Sequence, residues 1–180
     1  MTSHPAILAS QQWLEDFIIR FNICPFAKRE FVQQRIRYQL LPERSAQRHL
    51  LTLVDECLFL DQHPETETTL LIFPDDLSDF DEFLDFLELA EQLLQQQDYE
   101  GIYQLASFHP DYRFAGSMKN DAGNFTNRSP YPMLHLIREK SLEAAVKNYP
   151  DIEQVPKNNI KKLQEIGFTE MQKKLKKITS

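Results

Sequence analysis

His109, Asp111, Tyr112, Arg113, Asn124, Asn127, Arg128, Ser129 and Tyr131 crowd into the stretch Ser107–Glu139, together with two of the chain's four glycines. An imidazole that titrates near neutrality serves as general acid or base when a carboxylate orients it, and His109 has Asp111 two positions on. A guanidinium grips a carboxylate or phosphate with two donors at once, and Arg128 stands between Asn127 and Ser129, which add neutral donors. Arg113, Lys119 and Arg138 supply further positive charge, and Asn124 and Thr126 supply further polar groups. Tyr112 and Tyr131 offer phenolic donors, and Gly116 and Gly123 let backbone come close to a ligand. The segment is expected to bind a small anionic molecule, phosphate- or carboxylate-bearing, with His109 and Asp111 available for acid/base catalysis.

Each of these residues also has a plainer use. Arg128 can pair with an acid such as Asp121 and hold the loop shut, with Asn127 and Ser129 as turn residues before Pro130. His109 can end a strand and bond to backbone, and the tyrosines can anchor the loop through their rings. Cys24 is the candidate nucleophile. Activation would come from His109 or a nearby cation, while its place at a helix exit before Pro25 raises the thiol pKa and favours a structural role. Cys57 falls on an apolar helix stripe and reads as core. A metal would draw on His109 and His135 with Asp111 and Asp121, whose spacing matches no metal motif; His135, set among Leu134, Leu136 and Ile137, reads as a core histidine. No metal or cofactor is assigned. The glycine-rich nucleotide loops, the zinc-protease H-E-x-x-H and the hydrolase G-x-S-x-G are all absent from the sequence.

The elements that must position these residues belong to one domain of 180 residues, with 42% hydrophobic and 26% charged residues. A net charge of −7 argues against nucleic acid as a partner, since neutralising phosphates needs clustered Lys and Arg. The charge is uneven: the charged residues from Asp75 to Glu100 are all acids, whereas the tail carries Lys157, Lys161, Lys162, Lys173, Lys174, Lys176 and Lys177. Two solvated helix faces account for this. The alternative function rests on the same feature: a non-catalytic partner-binding or regulatory protein that docks through its aromatic loop or its charged helices. The N-terminus lacks a basic region followed by an apolar run, no stretch approaches the roughly 20 apolar residues of a membrane span, and the two cysteines form no CxxC. A cytoplasmic protein with no membrane partner is expected.

Trp13, Leu14, Phe17, Ile18 and Phe21 predict a first helix ending near Asn22–Phe26. A strand in "RIRYQLL" precedes a helix with Ser45 as its cap, and "TETTLLIFP" is a central, buried strand. Phe80 to Leu94 make the strongest helical stripe, capped by Ser78 or Asp79, and "GIYQLASF" is the next strand. Residues 109–132 show no period and predict a long ordered loop. "MLHLIRE" is read as a fourth strand, with Ser141 capping the helix after it. Helices then continue to Gly167, and residues 168–180 form a basic helical appendage. Alternating strands and helices predict an α/β sandwich with a small, mostly parallel sheet of three to four strands covered by helices.

"FNICPFA", "SFHPDYRFAG" and "TNRSPYPMLHLIRE", in that order, resemble the bacterial domain-of-unknown-function family 1415, from about Trp13 to Gly167. The resemblance implies kinship and brings no activity, cofactor or catalytic residue with it. The tail after Gly167 lies outside the resemblance.

Overall fold

Pro5 opens helix α1 (Pro5–Trp13), where its missing N–H is one of the donors left over at any helix start, and the His4 ring accepts from the Ala6 N–H at 3.2 Å. In the computed structural model, which describes residues 4–179, α1 runs straight into a π-helical segment, Leu14–Ile19. The wider π turn buries Leu14, Phe17 and Ile18 alongside Trp13, so the stripe expected of one regular helix is divided between two geometries. There follow α2 (Ala27–Val32), β1 (Ile36–Leu40), α3 (Ala46–Gln62), β2 (Thr68–Ile72), α4 (Phe80–Gln96), β3 (Tyr103–Phe108), β4 (Met133–Arg138), α5 (Glu139–Lys147), α6 (Val155–Ile166) and α7 (Phe168–Lys176). The class is α/β, as expected.

Caps explain where two of the longest helices begin. Ser45 Oγ accepts from the Arg48 N–H ahead of α3, and Asp79 Oδ1 accepts from the N–H groups of Asp81 and Glu82 ahead of α4. Ser141 does not play this part for α5, which starts two residues earlier, directly from β4 at Glu139. Arg138 occupies the capping position without a side-chain cap. Its guanidinium instead reaches the carbonyls of Leu60, His63 and Thr66 at the end of α3.

The sheet runs β1-β2-β4-β3. β1 and β2 pair in parallel, and β4 lies antiparallel to both β2 and β3. Three strands therefore share a direction, but the sheet is mixed in its ladders rather than mostly parallel. The cause is local: Phe108 faces Met133, so the 109–132 loop leaves and returns at one end of the sheet and carries no crossover helix, which forces an antiparallel pair.

Register assigns the two faces. Arg37, Thr69, Leu136 and Leu105 lie in one row of the first face, which α3 and α4 cover with Leu53, Cys57, Leu60, Phe83 and Ala90. Tyr38, Leu70, His135 and Ala106 lie in a row of the second face, which meets Trp13, Phe17, Ile18, Phe125, Leu163 and Met171. Met171 and Ile178 are buried in this second cluster and Phe168 packs on Phe125 at 5.5 Å, so the C-terminal helix is part of the core and not an appendage. Among the described residues, no helix is long and apolar enough to cross a membrane.

Candidate functional site

The 109–132 loop is held together by its own polar groups. Asn124, fully buried, accepts at Oδ1 from the Phe114 N–H and Ser117 Oγ, and donates from Nδ2 to the Met118 carbonyl. Asn127 donates to the Ser107 carbonyl, and Ser129 donates to the carbonyl of Tyr131. Asp121 caps a 3-10 turn at Ala122–Thr126 by accepting from the Gly123 N–H at 2.8 Å, and it accepts from Gln164 of α6. That amide and the Gly123 N–H hold the Asp121 carboxyl below its ordinary pKa.

Arg128 is the centre of this arrangement. Its side chain donates from Nε to the Tyr112 carbonyl at 3.1 Å and from a terminal nitrogen to the Lys119 carbonyl at 2.8 Å, with its charge over the rings of Phe125 and Phe168. The residue is 4% exposed, and its partners are backbone carbonyls, not Asp121 and not a cleft. His109 is equally committed. Nε2 lies 3.0 Å from the Leu77 carbonyl, and Nδ1 accepts from the Asp111 N–H at 3.0 Å, which defines a neutral tautomer with both nitrogens occupied. Burial, chiefly, lowers its pKa. Asp111, Arg113 and Lys119 are exposed around a small cleft of about 200 Å³ that also includes Asp79 and Asp81. Three carboxylates against two cations there do not attract an anion. Tyr112 stacks edge-on to Phe80 and Phe114, and burial raises its hydroxyl pKa; Tyr131 packs at the margin of the second core cluster.

The larger concavity lies elsewhere. Between the second face of the sheet and α5 is a cavity of about 780 Å³. Its floor is Ile36, Thr68, Leu70, Ala106, Phe108, His135 and Ile137, its walls include Trp13, Leu14, Ile18 and Cys24 to Ala27, and α5 contributes Leu142 and Ala145, with Tyr149 just beyond the helix. Phe26 meets Tyr149 edge to face at 5.7 Å and closes one side. The charged rim is Arg29, Glu30, Arg35 and Glu67, with Arg35 paired to both Glu30 and Glu67.

His135 is the polar group of the floor. No described residue is hydrogen-bonded to its imidazole, and burial pushes its pKa down to about 4, so it is neutral at physiological pH. A neutral imidazole offers one donor and one acceptor. Cys24 shares this cavity with His135 and not with His109. Its thiol pKa is raised by burial, opposed in part by the backbone N–H groups of Phe26 and Ala27, and the residue precedes α2 instead of sitting on the last turn of a helix. Among the described residues, no group of three or more His, Cys, Asp or Glu side chains converges to hold a metal.

Sequence reasoning singled out Cys24 and His135 and missed the surface that joins them. Strand alternation carried a signal: His135 shares its face with Met133 and Ile137, where an unpartnered polar side chain is out of place. So did α5, whose Leu142, Ala145 and Tyr149 repeat on one side while no residue of the helix is fully buried.

The chain has no match among the curated proteins or the solved structures compared with it. Residues 6–173 match the family described as Protein of unknown function (DUF1415), beyond both ends of the stretch whose motifs carry the resemblance, and the chain belongs to that family.

Proposed function

We propose that this protein binds a small, uncharged and largely apolar molecule in the cavity beneath α5, with His135 recognising a hydroxyl or carbonyl group on it. The observation that carries this reading is the cavity itself: about 780 Å³, walled mostly by apolar side chains, with one imidazole on its floor that no described residue bonds. Small-molecule sites have this volume and this makeup, apolar walls with a few placed polar groups. The ring nitrogens of His135 have no partner among the described residues, and a ligand hydroxyl or carbonyl supplies one. Charge selects against ions. Arg29 and Arg35 balance Glu30 and Glu67 at the rim, and Arg35 is already paired. An anion held by the 107–139 loop is the weaker reading, because Arg128, Asn124, Asn127 and Ser129 spend their hydrogen bonds on the loop. A reducing, cytoplasmic setting accords with two free thiols, Cys24 and Cys57.

Thermal unfolding and displacement of the neutral dye Nile red test this with a panel of aliphatic alcohols, ketones and esters beside the matching carboxylates and phosphates. A neutral compound at about 100 times its Kd adds roughly 2.7 kcal/mol, about 5 to 10 °C for a chain of this size. Ala145→Trp, which fills the cavity from α5, should abolish both responses. Stabilisation by phosphates or carboxylates that persists in Ala145→Trp would move the site back to the loop.

A further inference from the structure

We propose that Cys24 is a nucleophile of this cavity, adding through its sulfur to an uncharged, apolar α,β-unsaturated carbonyl compound while His135 takes the thiol proton. The inference rests on the cavity reading above and names the chemistry of its ligand. Cys24 and His135 come from opposite parts of the chain, the turn before α2 and the middle of β4, and both line the one cavity. His135 has no described hydrogen-bond partner, so its ring is available to a proton; both ring nitrogens of His109, at the end of β3, are already engaged. Burial holds the thiol protonated at rest, and the backbone N–H groups of Phe26 and Ala27 oppose this only in part. Apolar walls disfavour the resting thiolate, so attack needs a base, and His135 is the imidazole that lines the same cavity.

Two other uses of the thiol do not suit the structure. A disulfide with Cys57 is barred by the sheet, since Cys57 is buried under α3 on the opposite face. A metal would need further ligands, and none converge among the described residues. Addition to a conjugated carbonyl balances without any other reactant. The S–C bond forms at the β-carbon as the C=C π bond breaks, the electron pair moves through the enolate, and the proton held by His135 ends on the α-carbon. The product is a saturated thioether, and nothing is oxidised or reduced overall.

The test uses the full chain with trans-3-nonen-2-one as the electrophile, nonan-2-one as its unreactive counterpart and iodoacetamide as a small polar control. Expected are one adduct per chain, mapped by mass spectrometry to the peptide containing Cys24, and a rate that saturates with enone concentration. Nonan-2-one should slow it, and the adduct should be absent in Cys24→Ser. Gln keeps a donor for the carbonyl but cannot take the thiol proton, so His135→Gln should bind nonan-2-one and lose about 100-fold in the saturated rate. His135→Asn, checked for folding by thermal unfolding, should behave alike. A rate that is linear in enone, no faster relative to iodoacetamide than for a free thiol, and unchanged in His135→Gln would overturn the proposal. If nonan-2-one still binds in that case, the thiol chemistry falls and the cavity reading stands; if it does not bind, both fall.

Discussion

His109 Nε2 sits 3.0 Å from the carbonyl oxygen of Leu77, a residue held at a φ of +55°. A left-handed conformation costs a leucine roughly 1 to 2 kcal/mol. It persists because the Leu77 N–H donates to Asp76 Oδ1 at 2.9 Å on one side and the imidazole bonds its carbonyl on the other. His109 thus bolts the turn before α4 to the end of β3. His109→Ala should destabilise the fold by about 2 to 4 kcal/mol in urea denaturation, since it leaves a buried carbonyl and the Asp111 N–H without partners. Binding in the cavity, measured below the unfolding transition, should not change.

Arg128 performs the same service for the loop. Arg128→Met keeps much of the stem packed on Phe125 and Phe168 but frees the carbonyls of Tyr112 and Lys119, and about 2 to 3 kcal/mol should be lost. Arg128→Lys should recover little of this. One ammonium cannot meet two carbonyls in the geometry of a planar fork. Proteolysis between Arg113 and Asn120 should rise in both variants.

Acid should weaken the fold through His135. Its folded pKa, about 4, lies below the ordinary 6.5, so the unfolded chain binds more protons between those values and stability rises with pH. The stability is fully present above about 6.5 and is lost as pH falls from there toward 4. Between about pH 7 and about pH 5 the loss from this residue should be about 1 to 2 kcal/mol. His109, also lowered by burial, adds in the same sense. His135→Phe should flatten the stability profile in this window, where most carboxylates stay ionised; an unchanged slope would show that His135 is not held neutral.

Gly123 has no room for a methyl group. A Cβ there would come within 2.9 Å of the Ile160 Cγ2 atom and 3.2 Å of Asp121 Oδ1. Gly123→Ala should therefore push α6 off the 3-10 turn and cost about 1 to 3 kcal/mol in equilibrium unfolding. Ile160→Leu, which has no branch at Cβ, should restore part of the loss in the double variant.

Much of the fold could be read from the chain because its signals are local. The caps at Ser45 and Asp79, the apolar run of β2 and the stripe of α4 each depend on a few neighbouring residues. The position of β4 did not have that quality: its alternation suits either edge or centre, and only the missing crossover after Phe108 decides the pairing. The loop misled for a chemical reason. Arg, His, Asn and Ser are the residues that bind ligands and also the residues that satisfy loop carbonyls and N–H groups, and Arg128 looks alike in both roles until its partners are seen. The cavity gathers Trp13, Cys24, Ala106, His135 and Ala145 from distant segments, so no spacing announces it.

Setting the last strand in the middle of the sheet has a consequence for biosynthesis. Until Met133–Arg138 has left the ribosome, β2 has one open edge and β3 has no neighbour at all. At about 5 to 20 residues per second the nascent chain carries unpaired strand edges for seconds, the state in which chains are most exposed to aggregation and most in need of chaperones. The sheet closes only once more than three quarters of the chain has been made, and truncated products that stop before β4 cannot shelter Leu70 and Leu71, so they present themselves to the proteases that clear them.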